Sequence, residues 1–324
     1  MSRLRSAPRM VLPVPASAAS SSARFVIDFD PGTVTVARTG PRANGAGHGG
    51  AVTVVMVPSL RTRPVYWSCH DDAMCGRYAS TRDPATLAVD FDAVDATDGA
   101  APGAHYNVAP TTPVLSVVTR HPRDPQGVPD PDRSVRSIRV MRWGLVPHWA
   151  KDPAVGSRLI NARAETAAGK PAFRDAVARR RCLLPADGWY EWQRGGEHKQ
   201  PFFITRADGA GLALAGLWST WRRPDDPALP LVTCAVLTTE AVGPLAEIHD
   251  RMPLILPIEA WQAWLDPDSD HPRQLLAPPS TDLIHGLELR PVSTAVNHVQ
   301  QDGPELVQRV EPEQSALLDL DQIR

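Results

Sequence analysis

At 324 residues, 43% hydrophobic and 22% charged, the chain can bury a real core as one large domain or two small ones. No run of eighteen apolar residues occurs, which excludes a helical membrane span, and Cys69, Cys75, Cys182 and Cys234 lack the CxxC spacing of a zinc site or a disulfide framework, which fits a reducing cytoplasm. The net charge is −2, with eight arginines against four aspartates in residues 1–73 and a net −6 beyond them, so nucleic-acid binding would need a local basic groove.

Residues 1–73 are Ala/Ser/Gly/Pro-rich and look poorly organised, with two apolar runs, 24–29 and 51–58, that could form strands. They read either as a true extension or as upstream sequence from a start placed too early, and the abrupt onset of pattern at Met74 favours the second. Residues 82–92 predict a short helix. A strand at 114–119, a loop at 121–134 and a strand at 135–143 make a hairpin. A helix at 171–179 precedes strands at 181–185, 188–192, 201–205, 212–217 and 231–237. Helices follow at 241–248 and 257–265, the latter opening on Pro257. A last strand covers 287–291, and residues 301–324 read as a peripheral acidic tail. The 33 prolines agree with many short elements. The fold class predicted is α+β, a single domain over 74–300 built on an antiparallel, barrel-like β-sheet with short helices.

Met74-Cys75-Gly76-Arg77 is the stretch with the most chemistry. Were Met74 removed, Cys75 would carry an α-amine and a thiol on adjacent carbons, with ordinary pKa values of ~8 and ~8.5. Such a pair condenses with an aldehyde as an imine and then closes a five-membered thiazolidine. An internal cysteine has only the thiol, and most Met-Cys pairs are simply two apolar residues. Glu191 lies in Trp189-Tyr190-Glu191-Trp192, where strand alternation puts it on the face of Trp189, opposite Tyr190 and Trp192. It is either a partly desolvated acid/base or an exposed edge-strand carboxylate. His249, beside Asp250 and Arg251, is a proton shuttle or a loop residue at a helix end. Asn161 orients a ligand or a loop backbone. Arg77 and Arg163 are phosphate clamps or surface charges. Trp143, Trp149, Trp189 and Trp192 are core residues or base-stacking platforms. With only three lysines, arginine must supply the phosphate contacts.

Five segments occur in one order: Met74-Cys75-Gly76-Arg77, the run Trp143 to Trp149, Asn161-Ala162-Arg163-Ala164-Glu165, Cys182 to Ala186 with Trp189 to Trp192, and Ile248-His249-Asp250-Arg251-Met252-Pro253. In this the chain resembles the SOS response-associated peptidase (SRAP) family, the abasic-site processing proteins, over about residues 74 to 300. The resemblance implies a concave, basic groove for single-stranded DNA and covalent capture of the abasic-site aldehyde as a thiazolidine. It implies Cys75, Asn161, Glu191 and His249 as catalytic residues, and Arg77, Trp143, Arg163 and Arg251 as DNA-binding ones. No cofactor, metal or membrane is implied. The partner is single-stranded DNA containing abasic sites, the protein is expected to be a monomer in the cytoplasm, and weak lyase activity or autoproteolytic exposure of Cys75 would accompany capture. The chain departs from the family by its 73 residues before Met74, because an amide at Cys75 cannot close the ring. Two other readings remain: a cysteine peptidase using Cys75, His249 and Asn161, and a single-strand binding module in which Cys75 is incidental.

Overall fold

The computed structural model describes residues 24–30, 33–39, 53–54, 75–193, 199–223, 228, 230–269 and 273–311. Met74, most of residues 1–73, and 312–324 lie outside the described residues. The chain divides into two units, Met1–Ser68 and Cys69–Arg324. In the first, Arg24–Asp30 pairs antiparallel with Thr33–Thr39, which pairs with Thr53–Val54. The strand expected at 24–29 is present. The one expected at 51–58 is described only at 53–54.

The second unit holds two sheets. One has five antiparallel strands in the order Leu287–Pro291, Pro201–Arg206, Gly188–Trp192, Arg77–Ser80, His105–Val108. The other, eight-stranded, is centred on Leu231–Glu240, Leu212–Trp221, Arg181–Ala186 and the hairpin Pro113–Arg120/Val135–Trp143. Its antiparallel run curls until Thr233 and Cys234 pair in parallel with Arg142 and Trp143. Two further short parallel pairings join it, Asn161–Arg163 on Val236–Thr238 and Val94–Asp95 on Ser137–Ile138. The sheet is therefore mixed, with antiparallel pairings between its long strands, as expected, and short parallel ones added. The fold is α+β, with short helices Pro84–Asp90, Arg174–Arg179 and Ile258–Leu265 packed on the sheets.

Alternation explains the layers. In the hairpin, Val114, Val118, Met141 and Trp143 face the cluster that contains Cys75, Trp189 and Cys234. Leu115, Val117 and Ile138 face the other side, toward Phe173 and Trp264. Strand Gly188–Trp192 splits as predicted: Trp189 joins the Cys75 cluster, while Tyr190 and Trp192 pack with Phe203, Val292 and Leu306. That last contact corrects the expected tail. Leu306 is fully buried, Val310 N donates to Pro291 O at 2.9 Å, and Arg309 pairs with Glu288. The apolar spacing Val296/Leu306/Val307 outweighs the acidic composition, so residues through 310 belong to the domain. The helix expected at 241–248 is a single 3₁₀ segment, Gly243–Glu247, because Gly243 sits at φ 59° ahead of Pro244.

Close packing between strands sets one test. A Cβ on Gly216 would stand 2.3 Å from Leu184 Cδ1 and 2.8 Å from Cys182 Sγ. Gly216→Ala is expected to destabilise the domain by about 1–3 kcal/mol through overpacking, measured by urea denaturation.

Candidate active site

Register brings the site together. Tyr190 pairs with Arg77 and Trp189 with Tyr78 in the antiparallel ladder, so the residues just beyond it, Glu191 and Cys75, become neighbours. Both side chains are buried at 4% exposure. One carboxylate oxygen serves both groups of the cysteine: Cys75 N and Cys75 Sγ each donate to Glu191 Oε2 at 3.2 Å. Cys75 has φ 45°, in the left-handed region that costs a residue with a Cβ about 1–2 kcal/mol. Such a strained conformation is retained only where the surroundings over-determine it. Burial pushes the Cys75 thiol well above its usual pKa, and the Glu191 charge and hydrogen bond add to the effect. Arg251 opposes this and Asp250 reinforces it, so both charges lie within electrostatic reach of the sulfur.

Strand Leu231–Glu240 delivers the other residues. Its second half pairs with Asn161–Arg163 through Val236–Thr238 and with Arg251–Pro253 through Thr238–Glu240. Asn161 and the His249–Arg251 turn are thereby held by one strand. Asn161 is half-buried beside Ile160, which packs against the Cys75 cluster. His249 is buried, with its backbone N–H on Leu245 O at 3.0 Å. Its Nδ1 stands 3.1 Å from Arg251 N and 3.0 Å from Asp250 Oδ1. A backbone N–H can only donate, so in the neutral ring Nδ1 accepts and the proton sits on Nε2. Protonation of Nδ1 exchanges that contact for Asp250.

The four residues expected to touch DNA divide. Arg163 is exposed, at the start of the short helix Ala164–Ala167. Arg251 is buried and forks onto Glu165, Nη1 to Oε1 and Nη2 to Oε2 at 2.9 Å each, with Nη2 also on Thr238 O at 2.7 Å. Partial burial works to raise the Glu165 pKa, but the Arg251 hydrogen bonds and charge, together with backbone N–H groups, outweigh it and hold the carboxyl below its usual range. Arg77 is buried and donates from Nη1 to Asn107 Oδ1 at 2.9 Å and Val296 O at 3.0 Å. Trp143 is 0% exposed, edge-on to Tyr78 at 5.3 Å, with its Nε1 on Ile160 O. Its ring face is closed to a base, which corrects the expectation for that residue. Trp149, six residues on in the same motif, is 58% exposed. Sequence could not choose between them, because Trp143 is covered by partners distant in the chain.

Among the described residues, no three His, Cys, Asp or Glu side chains come together to hold a metal. No helix there is long and apolar enough to cross a membrane.

A model of the family described as "SOS response associated peptidase (SRAP)" matches residues 74–299. The chain is 38% identical over 207 residues to the abasic site processing protein YoqW of Bacillus subtilis, covering 63% of this chain and 85% of that one. It is 37% identical over 242 residues to the abasic site processing protein YedK of Escherichia coli, covering 73% of this chain and all of that one. Among solved structures, one from Bordetella bronchiseptica superposes with a TM-score of 0.54 at 28% identity, over 68% of this chain and all of that one. One from Bacteroides thetaiotaomicron gives 0.61 at 22% identity, over 73% of this chain and all of that one, and bears on the fold alone.

Proposed function

The chain belongs to the SOS response associated peptidase (SRAP) family, and from that premise we propose that it captures abasic sites in single-stranded DNA covalently, with Cys75 as its mature N-terminal residue. The relatives' names as abasic site processing proteins support the substrate. The observation that carries the chemistry is the single Glu191 oxygen 3.2 Å from both Cys75 N and Cys75 Sγ.

The steps follow from that geometry. The Cys75 amine adds to the open-chain aldehyde carbon of the abasic sugar, and Glu191 returns the proton that lets the carbinolamine lose water. The resulting imine stands beside the thiol. Sγ adds to the imine carbon while its proton passes through Glu191 to the nitrogen. The thiazolidine forms with water as the only leaving group. Burial and Glu191 disfavour a standing thiolate, which suits a sequence in which the amine attacks first and the sulfur is deprotonated only as it adds. His249 is assigned to protonate the sugar ring oxygen as the imidazolium, whose Nδ1–H can donate to Asp250 Oδ1, and so to favour the aldehyde. Asn161 is assigned to hold the amine or the sugar. β-Elimination from the imine, a weak lyase activity, would compete whenever sulfur addition fails.

The cysteine peptidase reading is less well supported. It needs a thiolate activated by a base, whereas the thiol here is donated to a carboxylate and pushed away from ionisation. In the favoured reading the residues before Cys75 must be absent or removed. If the protein frees itself, Sγ attacks the residue 74 carbonyl, the amide C–N bond breaks as nitrogen takes a proton, and water hydrolyses the thioester. Intact-mass measurement of protein made from its native gene tests this: a mass beginning at Cys75 is expected.

The groove is assigned to exposed groups, with Arg163 on phosphate and Trp149 under a base. Arg163→Ala should weaken lesion-free single strands of any sequence and lower the log–log salt slope by about 0.7. Arg251→Ala should chiefly cost about 1.5–3 kcal/mol of stability, because it strips hydrogen bonds between charged groups from Glu165. Salt-dependent binding and urea melts of the two variants separate these outcomes.

A further inference from the structure

The two arginines Arg120 and Arg139 stand on one face of the hairpin, where Arg120 pairs with Val135 and Arg139 with Ser116 in the register. They line a cavity of about 230 Å³ together with Val118, Trp218, Val232 and Asp98. Arg120 Cζ lies 5.0 Å from the centre of the Trp218 ring, so the indole carries the guanidinium from one side. Arg139 Nε donates to Ser137 Oγ at 3.2 Å, which fixes the second guanidinium. Among the described residues no carboxylate pairs with Arg120 or Arg139. Partial burial of the Arg120 guanidinium and, after it, the like charges of Arg139, Arg123 and Arg180 lower its pKa. Asp98, exposed on the rim at φ 52°, makes no ion pair with either arginine.

Arg120 and Arg139 are both exposed and so reachable from solvent, and their like charges repel one another until an anion bridges them. Guanidinium forks match phosphate oxygens in particular. None of the residues proposed for abasic-site capture lines this cavity. Its rim residue Val232 is four residues from Val236, the partner of Asn161, which is about 13 Å along the strand. We propose that the Arg120/Arg139/Trp218 cavity is a binding site for a phosphate-class anion, either a free phosphate compound or a phosphate of a nucleic-acid strand. Neither an abasic site nor Cys75 chemistry enters, so failure of one reading leaves the other standing.

The test is calorimetric titration of the full chain with inorganic pyrophosphate at constant ionic strength, alongside lesion-free oligo-dT. Pyrophosphate should bind the unmodified protein, and Arg120→Gln or Arg139→Gln should each weaken it by about tenfold or more. If oligo-dT competes with pyrophosphate and weakens in the same variants, the anion is a strand phosphate. If oligo-dT binding is unchanged and does not compete, it is a free phosphate compound. Asp98→Asn keeps the test decisive should an arginine variant fail to fold, because asparagine tolerates this backbone conformation. Removing the rim charge should tighten pyrophosphate binding. No binding, equal binding by well-folded Gln variants, or unchanged affinity in Asp98→Asn would overturn the assignment.

Discussion

Glu191→Gln is expected to slow covalent adduct formation by about 10²- to 10⁴-fold, the usual worth of a positioned acid/base. The amide keeps an oxygen that can accept from Cys75 N or Sγ but can no longer carry a proton between them. Two transfers fail together, the one that expels water from the carbinolamine and the one that moves the thiol proton to nitrogen. A second readout separates this from simple disruption. The Glu191 charge and hydrogen bond both raise the Cys75 pKa, after the larger effect of burial. Removing the charge must therefore let the thiol ionise at lower pH. The pH profile of Cys75 alkylation should shift downward in Glu191→Gln while adduct formation falls. A thiol profile that does not move would mean the carboxylate is not beside the sulfur in solution.

Cys75→Ala has the second large effect. With the amine free and the thiol gone, the imine forms but no ring closes. Adducts then survive denaturation only after borohydride reduction, and strand cleavage by β-elimination should increase. Heat-stable adduct should fall to background on a denaturing gel. A peptidase would lose everything with the thiol and would be indifferent to DNA.

Much of this site was legible in the sequence for local reasons. Alternation through Trp189-Tyr190-Glu191-Trp192 placed Glu191 on the face of Trp189, and both stand with Cys75. The β-branched runs of the hairpin marked its strands to within a residue or two. What failed depended on partners distant in the chain. Trp143 and Trp149 look alike in sequence, yet Tyr78 and Ile160 close over the first and leave the second exposed. Arg77 could be read as a phosphate clamp or a surface charge, and Arg251 was expected at DNA only through the family resemblance; sequence could not show what either side chain holds within the fold. In the fold Arg77 holds Asn107 and Val296, and Arg251 holds Glu165 and Thr238. Short strands such as Asn161–Arg163 and Arg251–Pro253 have no periodicity of their own and form because Leu231–Glu240 offers them an edge. The segment 301–310 was misread from its charge because Leu306 and its neighbours are too few to show a period.

One residue supplies both nucleophiles in this mechanism, and blocking the amine of Cys75 probes that most sharply. Protein beginning at Cys75, the same protein acetylated at that amine, and the chain with Cys75 internal are each mixed with single-stranded DNA carrying one abasic site. They are then resolved on a denaturing gel after heating, with the state of each N-terminus established by intact mass. A heat-stable adduct is expected from the free N-terminal cysteine and none from the acetylated or uncleaved forms. An equal yield of adduct from a chain shown by mass to be blocked or intact would contradict it.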